Sequence, residues 1–241
     1  MRWSLNVTAR SLSVMLVLLL LSLPCGAQVL PPPILWSTGF NGNTLQNNTG
    51  LADTHYVTID SIGAATLGWA GTAPVYSGPV VSTRNDAWTA FNPSVTSQWV
   101  GPTNGRSNVA PGNYIYATTF NATGYTINSI SGVFAADNSG RAYLNGLRAA
   151  DAIGTASTGF NGSGNGSLGT VTTGFLPGVN TVYFVINNAG SSNNPTGFRT
   201  QLSLSATAVP ELSGTGASVP GFLLLSIGLM VASRRRRAVA L

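Results

Sequence analysis

The sequence predicts an all-β protein: a two-sheet antiparallel sandwich of jelly-roll type, flanked by an N-terminal signal helix and a C-terminal membrane helix. Three observations predict it. Between Gln28 and Thr207, short β-branched and aromatic runs alternate with Gly, Asn, Ser and Pro, the composition of strands and turns. No stretch there repeats apolar residues at helical spacing. Long continuous apolar runs occur only near the two ends of the chain.

The first of these runs reads as a secretory signal over residues 1–27. Arg2 and Arg10 precede the apolar stretch Ser11 to Leu23, and Pro24-Cys25-Gly26-Ala27 ends in small residues suited to cleavage after Ala27. Pro24 before Cys25 disfavours a lipoprotein reading. Residues 28–35, with Pro31-Pro32-Pro33, form a linker.

The sandwich is expected over residues 36–207, enough chain to bury roughly 70% of its unfolded surface. Tyr114, Tyr116, Thr118 and Phe120 share one face of a strand. Thr181 to Ile186 is continuously apolar, as in a strand covered on both sides. In Phe198 to Thr207, Phe198, Thr200, Leu202, Leu204 and Ala206 alternate with Arg199, Gln201, Ser203, Ser205 and Thr207, predicting one buried and one wet face. Asp137-Asn138-Ser139-Gly140, Asn145-Gly146 and Pro177-Gly178 suit tight reversals between antiparallel strands. Ser157 to Gly169 reads as a loop, and the total is nine or ten strands.

After a linker (208–218), an apolar segment at 219–233 precedes a basic tail at 234–241. Arg234, Arg235, Arg236 and Arg237 hold that tail on the cytoplasmic side. Val219 to Ala232 spans only about 21 Å as a helix against a hydrocarbon core of about 30 Å, which suits a temporary anchor.

The net charge of +5 comes from these ends. Between Gln28 and Thr207, Arg84, Arg106, Arg141, Arg148 and Arg199 balance Asp53, Asp60, Asp86, Asp137 and Asp151, with no Lys or Glu. No basic patch for nucleic acid is visible. The one cysteine, Cys25, lies in the signal, so a disulfide framework is excluded from the mature domain.

Enzymatic readings find little support. His55 is the only histidine, its nearest acid is Asp53, and there is no Gly-x-Ser-x-Gly elbow. Scattered aspartates single out no glycosidase pair. Asp53, His55 and Asp60 are weak metal-ligand candidates. Asp137 with Asn138 is the better place for a structural calcium ion, the one cofactor the pattern admits, against the plainer reading of an Asx turn. Trp69 and Trp88, in Gly- and Asn-containing stretches, are candidate sugar platforms, whereas Trp99 in Gln98-Trp99-Val100 reads as core.

The order Val209-Pro210-Glu211-Leu212, apolar span, Arg run resembles the PEP-CTERM sorting region of exosortase substrates, with Leu212 where that family usually has proline. The segments Ala136-Asp137-Asn138 to Tyr143-Leu144-Asn145-Gly146, Gly178-Val179-Asn180-Thr181 and Asn194-Pro195-Thr196-Gly197 are similar to blocks of galactose-binding-like sandwiches. The resemblance implies an exosortase-type sorting protease as partner, acting around Val209, Pro210 and Glu211. It also implies a transient membrane anchor, with export to the cell surface or matrix. Two non-enzymatic roles remain: a carbohydrate-binding module for a polysaccharide, or a structural or adhesive matrix component.

Overall fold

The alternating and punctuated stretches form strands that pair into one ring. The computed structural model describes residues 30–46, 50–74, 78–83, 88, 97–102, 109–157 and 166–210. The expected signal segment 1–27, Glu211, the apolar run 219–233 and Arg234 to Arg237 lie outside the described residues. Pro31–Val209 makes up one compact unit.

Twelve strands occur among the described residues. They are β1 (Phe40–Asn41), β2 (Thr44–Leu45), β3 (Ala52–Thr58), β4 (Pro79–Ser82), β5 (Val100–Gly101), β6 (Gly112–Asn121), β7 (Tyr125–Asp137), β8 (Ser139–Leu144), β9 (Ala152–Ser157), β10 (Gly166–Val171), β11 (Val179–Asn188) and β12 (Gly197–Ala208). β1 and β2 form a small hairpin. The other ten close into an antiparallel ring in the order β10-β7-β12-β5-β4-β3-β6-β11-β8-β9, where Ser167 of β10 meets Thr155 of β9. The all-β class expected from the sequence is the class observed.

The long strands carry the ring. β6 and β11 pair from Val179↔Asn121 to Asn188↔Gly112, and β7 pairs with β12 from Gly197↔Asp137 to Ala208↔Tyr125. Tyr116 of β6 and Phe184 of β11 face Phe134 of β7 and Phe198 of β12 across the interior. The ring centroids lie 4.5 Å apart for Tyr116–Phe198, 5.4 Å for Phe184–Phe198 and 5.5 Å for Phe134–Phe184. These four aromatics are fully buried, and ring pairs at such offsets add about 0.5–1.5 kcal/mol beyond the burial itself.

The outer faces are partly covered too, which explains the continuous apolar run of β11. Val182, Phe184 and Ile186 point into the ring. Tyr183 and Val185 point outward, under a second cluster containing Ile115, Tyr143, Leu147 and Ala64. Ala64 comes from α1 (Ser61–Thr66), a six-residue helix that the strand-and-turn pattern of the sequence does not predict. Asp60 caps it, its Oδ1 accepting from Gly63 N at 2.7 Å.

Three expectations need correction. Arg199, expected on a wet face, is 2% exposed. The segment at 97–100 lies over that end of β12: Arg199 Nε donates to Ser97 Oγ at 2.8 Å, Phe198 pairs with Val100, and burial pushes the guanidinium down to about 10. The alternation of buried and wet positions holds only from Leu202 onward. Asp137-Asn138 and Pro177-Gly178 do not join paired strands, because β7 pairs with β10 and β12 while β8 pairs with β9 and β11, and β10 pairs with β7 and β9 while β11 pairs with β6 and β8; both are corners. The end of the expected loop, Gly166 to Gly169, belongs to β10, held there by the buried Leu168.

Candidate functional site

The carboxylates and the histidine fasten loops. Asp53 is 4% exposed; its Oδ2 accepts from Gly39 N at 2.6 Å and its Oδ1 from His55 N at 2.9 Å, which ties the β1–β2 hairpin to β3. Burial raises its carboxyl above the ordinary value, against the opposing pull of those N–H bonds. The His55 ring stacks on Trp36 with centroids 3.9 Å apart and 10° between planes, and its Nε2 donates to Gly42 O at 2.6 Å. Asp60 caps α1 and Asp151 Oδ2 accepts from Arg148 N at 2.9 Å.

Asp53, His55 and Asp60, grouped in the sequence as weak metal ligands, are thus each held by backbone groups. Among the described residues no group of three or more His, Cys, Asp or Glu side chains converges as a metal site would require. A shallow cleft of about 340 Å³ opens where β3 and β4 splay, with Asp53, Tyr56, Val57 and Pro79 in its walls. Both Asp53 oxygens already accept backbone bonds.

Asp137 and Asn138 sit at the corner between β7 and β8. Asp137 Oδ2 accepts from Trp88 Nε1 at 2.8 Å, and its carbonyl accepts from Thr196 Oγ1 at 2.6 Å. Burial raises this carboxyl as well. Asn138 Oδ1 accepts from Ala189 N at 2.8 Å.

The tryptophans divide. Trp88, 9% exposed, stacks on Trp99, 5% exposed, with centroids 4.8 Å apart and planes 28° apart. With Ala135 they form a small buried cluster. Its face is therefore turned inward. Trp69 is half-buried. Its indole meets Tyr143 edge-on at 6.2 Å, and its Nε1 donates to Thr72 O at 2.9 Å. Asn113 Nδ2 donates to the same carbonyl at 3.2 Å, so the strap from Trp69 to Thr72 is pinned across the outer face of β8, β11 and β6.

Two blocks singled out in the sequence meet directly. Asn145, at φ 60°, donates from Nδ2 to Asn180 Oδ1 at 2.9 Å and to Gly174 O at 2.9 Å. Asn180 is fully buried and bonds both the N–H and the C=O of Leu176 at 2.7 and 2.8 Å. In the sequence Asn145 marks a turn and Asn180 belongs to the Gly178-Val179-Asn180-Thr181 strand block; their partnership, 35 positions apart, has no local signal.

Of the residues expected to form a sorting motif, Val209 and Pro210 are exposed at the end of β12, where Val209 N donates to Gly124 O at 2.9 Å. No known family model matches the chain, and no curated protein or solved structure matches it.

Proposed function

We propose that this chain is an exported, non-enzymatic β-sandwich of jelly-roll type, sorted through a PEP-CTERM-like C-terminal signal to the cell surface or matrix, where it binds carbohydrate. The observation that carries the non-enzymatic reading is the fate of its reactive groups. His55, Asp53, Asp60, Asp137 and Asp151 are each engaged with a backbone or indole partner. A general base needs a lone pair aimed at open space. The nesting of β8–β9 inside β7–β10, and of that pair inside β6–β11, supports a jelly roll, the wrapping of one long folded hairpin.

The sugar-binding part rests on Trp69, an aromatic kept at the surface by its own turn. The burial of Trp88 favours a second reading, a structural or adhesive matrix component whose aromatics serve only the fold. A glycan array probed with the exported protein separates the two: carbohydrate retention lost in Trp69→Ala supports the first reading, and a blank array the second. Sorting is tested by intact mass of the surface form, which is expected to end near Pro210. Retention of Arg234 to Arg237 on the exported form would overturn it.

A further inference from the structure

We propose that the outer face around Trp69 takes an anionic polysaccharide, one with uronate or sulfate groups, with Arg141 and Arg148 as the charge-reading side chains. The inference rests on the carbohydrate-binding reading above and names the ligand class.

The placement follows from register. Along β8, Ala142 and Leu144 point into the core while Arg141 and Tyr143 point outward. Tyr143 is the residue against which Trp69 stands edge-on, so Arg141 lies two positions along the same face. Arg141 is exposed and sits opposite Val185 of β11 and Thr155 of β9. Asn187, two residues beyond Val185, adds a side-chain amide in the next row.

Arg148 approaches through Gly68, the residue before Trp69. Leu147 N donates to Leu67 O at 3.0 Å, which locks its segment to the chain just before Trp69. Gly68 then adopts φ +89°, and the Arg148 stem crosses it so closely that a Cβ there would lie 2.7 Å from Arg148 Cγ. The missing side chain gives the arginine its path over the residue next to Trp69.

Charge points to the ligand. Among the described residues neither guanidinium makes a hydrogen bond or ion pair. The nearest carboxylate in sequence, Asp151, is turned to the Arg148 backbone N–H rather than to its side chain. A guanidinium presents a planar fork that matches a carboxylate or sulfate bidentately. Two such forks on the face that carries Trp69 and Tyr143 suit a chain of sugars with acidic groups better than a neutral glucan.

The test is affinity electrophoresis of the exported protein through gels containing polygalacturonate, neutral dextran or polyglutamate, at low and moderate salt. Polygalacturonate is expected to retard the protein strongly, dextran weakly and polyglutamate little. Arg141→Gln with Arg148→Gln is expected to weaken polygalacturonate binding at least tenfold with an unchanged melting temperature. Trp69→Phe is expected to weaken it less. Equal retardation by dextran, insensitive to both arginines, overturns the anionic proposal and leaves carbohydrate binding standing. Equal retardation by polyglutamate overturns it as mere charge attraction. No retardation in any gel overturns both readings.

Discussion

Replacing Asn180 by Ala is the sharpest test of how this fold is held. Asn180 has no exposed surface and joins three segments. Its Oδ1 accepts from Leu176 N and from Asn145 Nδ2, and its Nδ2 donates to Leu176 O and Gly178 O. Truncation does not orphan all of these partners. Gly178 O still receives Ala122 N at 2.7 Å, and Asn145 Nδ2 still reaches Gly174 O. The N–H and C=O of Leu176 lose the partners this side chain supplied; these bonds are part-buried, and each of the four hydrogen bonds removed is worth about 0.5–1.5 kcal/mol. The expected loss is therefore about 2–5 kcal/mol, or about 5–15 °C in melting temperature for a domain of this size. Urea unfolding of the purified parent and variant reads it directly. Asn180→Asp should also destabilise at neutral pH, since it turns a carboxylate oxygen toward two carbonyls. An Ala variant within about 0.5 kcal/mol of the parent would refute the clasp.

Three further outcomes follow from the same geometry. Trp88→Ala and Trp99→Ala should each cost about 3–5 kcal/mol, because the two indoles are stacked and buried, and Trp88→Ala should leave glycan binding per folded molecule unchanged; a thermal melt like the parent's would show that this cluster bears no weight. The carboxyls of Asp53 and Asp137 lie above their ordinary 3.8 through burial, so the folded state keeps protons that the unfolded chain has already released. Their contribution to stability is greatest below 3.8 and declines as pH rises through the folded-state values, so these two carboxyls should raise the urea midpoint as pH is lowered through their folded-state values toward 3.8, and Asp137→Asn should flatten that rise. Gly39→Ala should lower the folded yield or melting point sharply, because φ there is +92° and a Cβ would fall 2.9 Å from the Gln98 backbone nitrogen; a variant as stable as the parent would contradict the placement of the β1–β2 hairpin.

How far the fold could be read from the sequence depended on where each strand's cover comes from. β11 was legible because both faces of Val182 to Ile186 are buried, and burial on two sides writes a continuous apolar run. β6 was legible in its inward residues, Tyr114, Tyr116 and Phe120. Arg199 was not, since periodicity describes a strand's own pattern and its cover, Ser97, comes from 102 positions away. α1 escaped because six residues make fewer than two turns, too few for a helical period to register; its one local signal was the cap, Asp60 with Gly63. At Asp137-Asn138 the turn chemistry was visible, but such chemistry gives only a change of direction. Which strands pair on either side is decided by the partners, β10 and β12 for one and β9 and β11 for the other.

The candidate site was legible only in part, and the reason lies in composition. With no Lys or Glu between Gln28 and Thr207, few long polar side chains can reach into solvent, and the short ones, Asp, Asn, Ser and Thr, bond the nearest backbone groups. Asp53, Asp60, Asp151, Asn145 and Asn180 all do so. Residues that look chemical in the sequence therefore mostly hold turns in place. Arginine behaves differently, because its length lets the head group leave the surface that its stem covers. Of the three arginines in the described residues, Arg199 is drawn inward by Ser97, while Arg141 and Arg148 remain exposed. In a domain whose short polar side chains are spent on its own backbone, the proposed recognition falls to the long side chains left over: Arg148, whose stem crosses Gly68 next to Trp69, and Arg141, two positions along β8 from the Tyr143 that Trp69 meets edge-on.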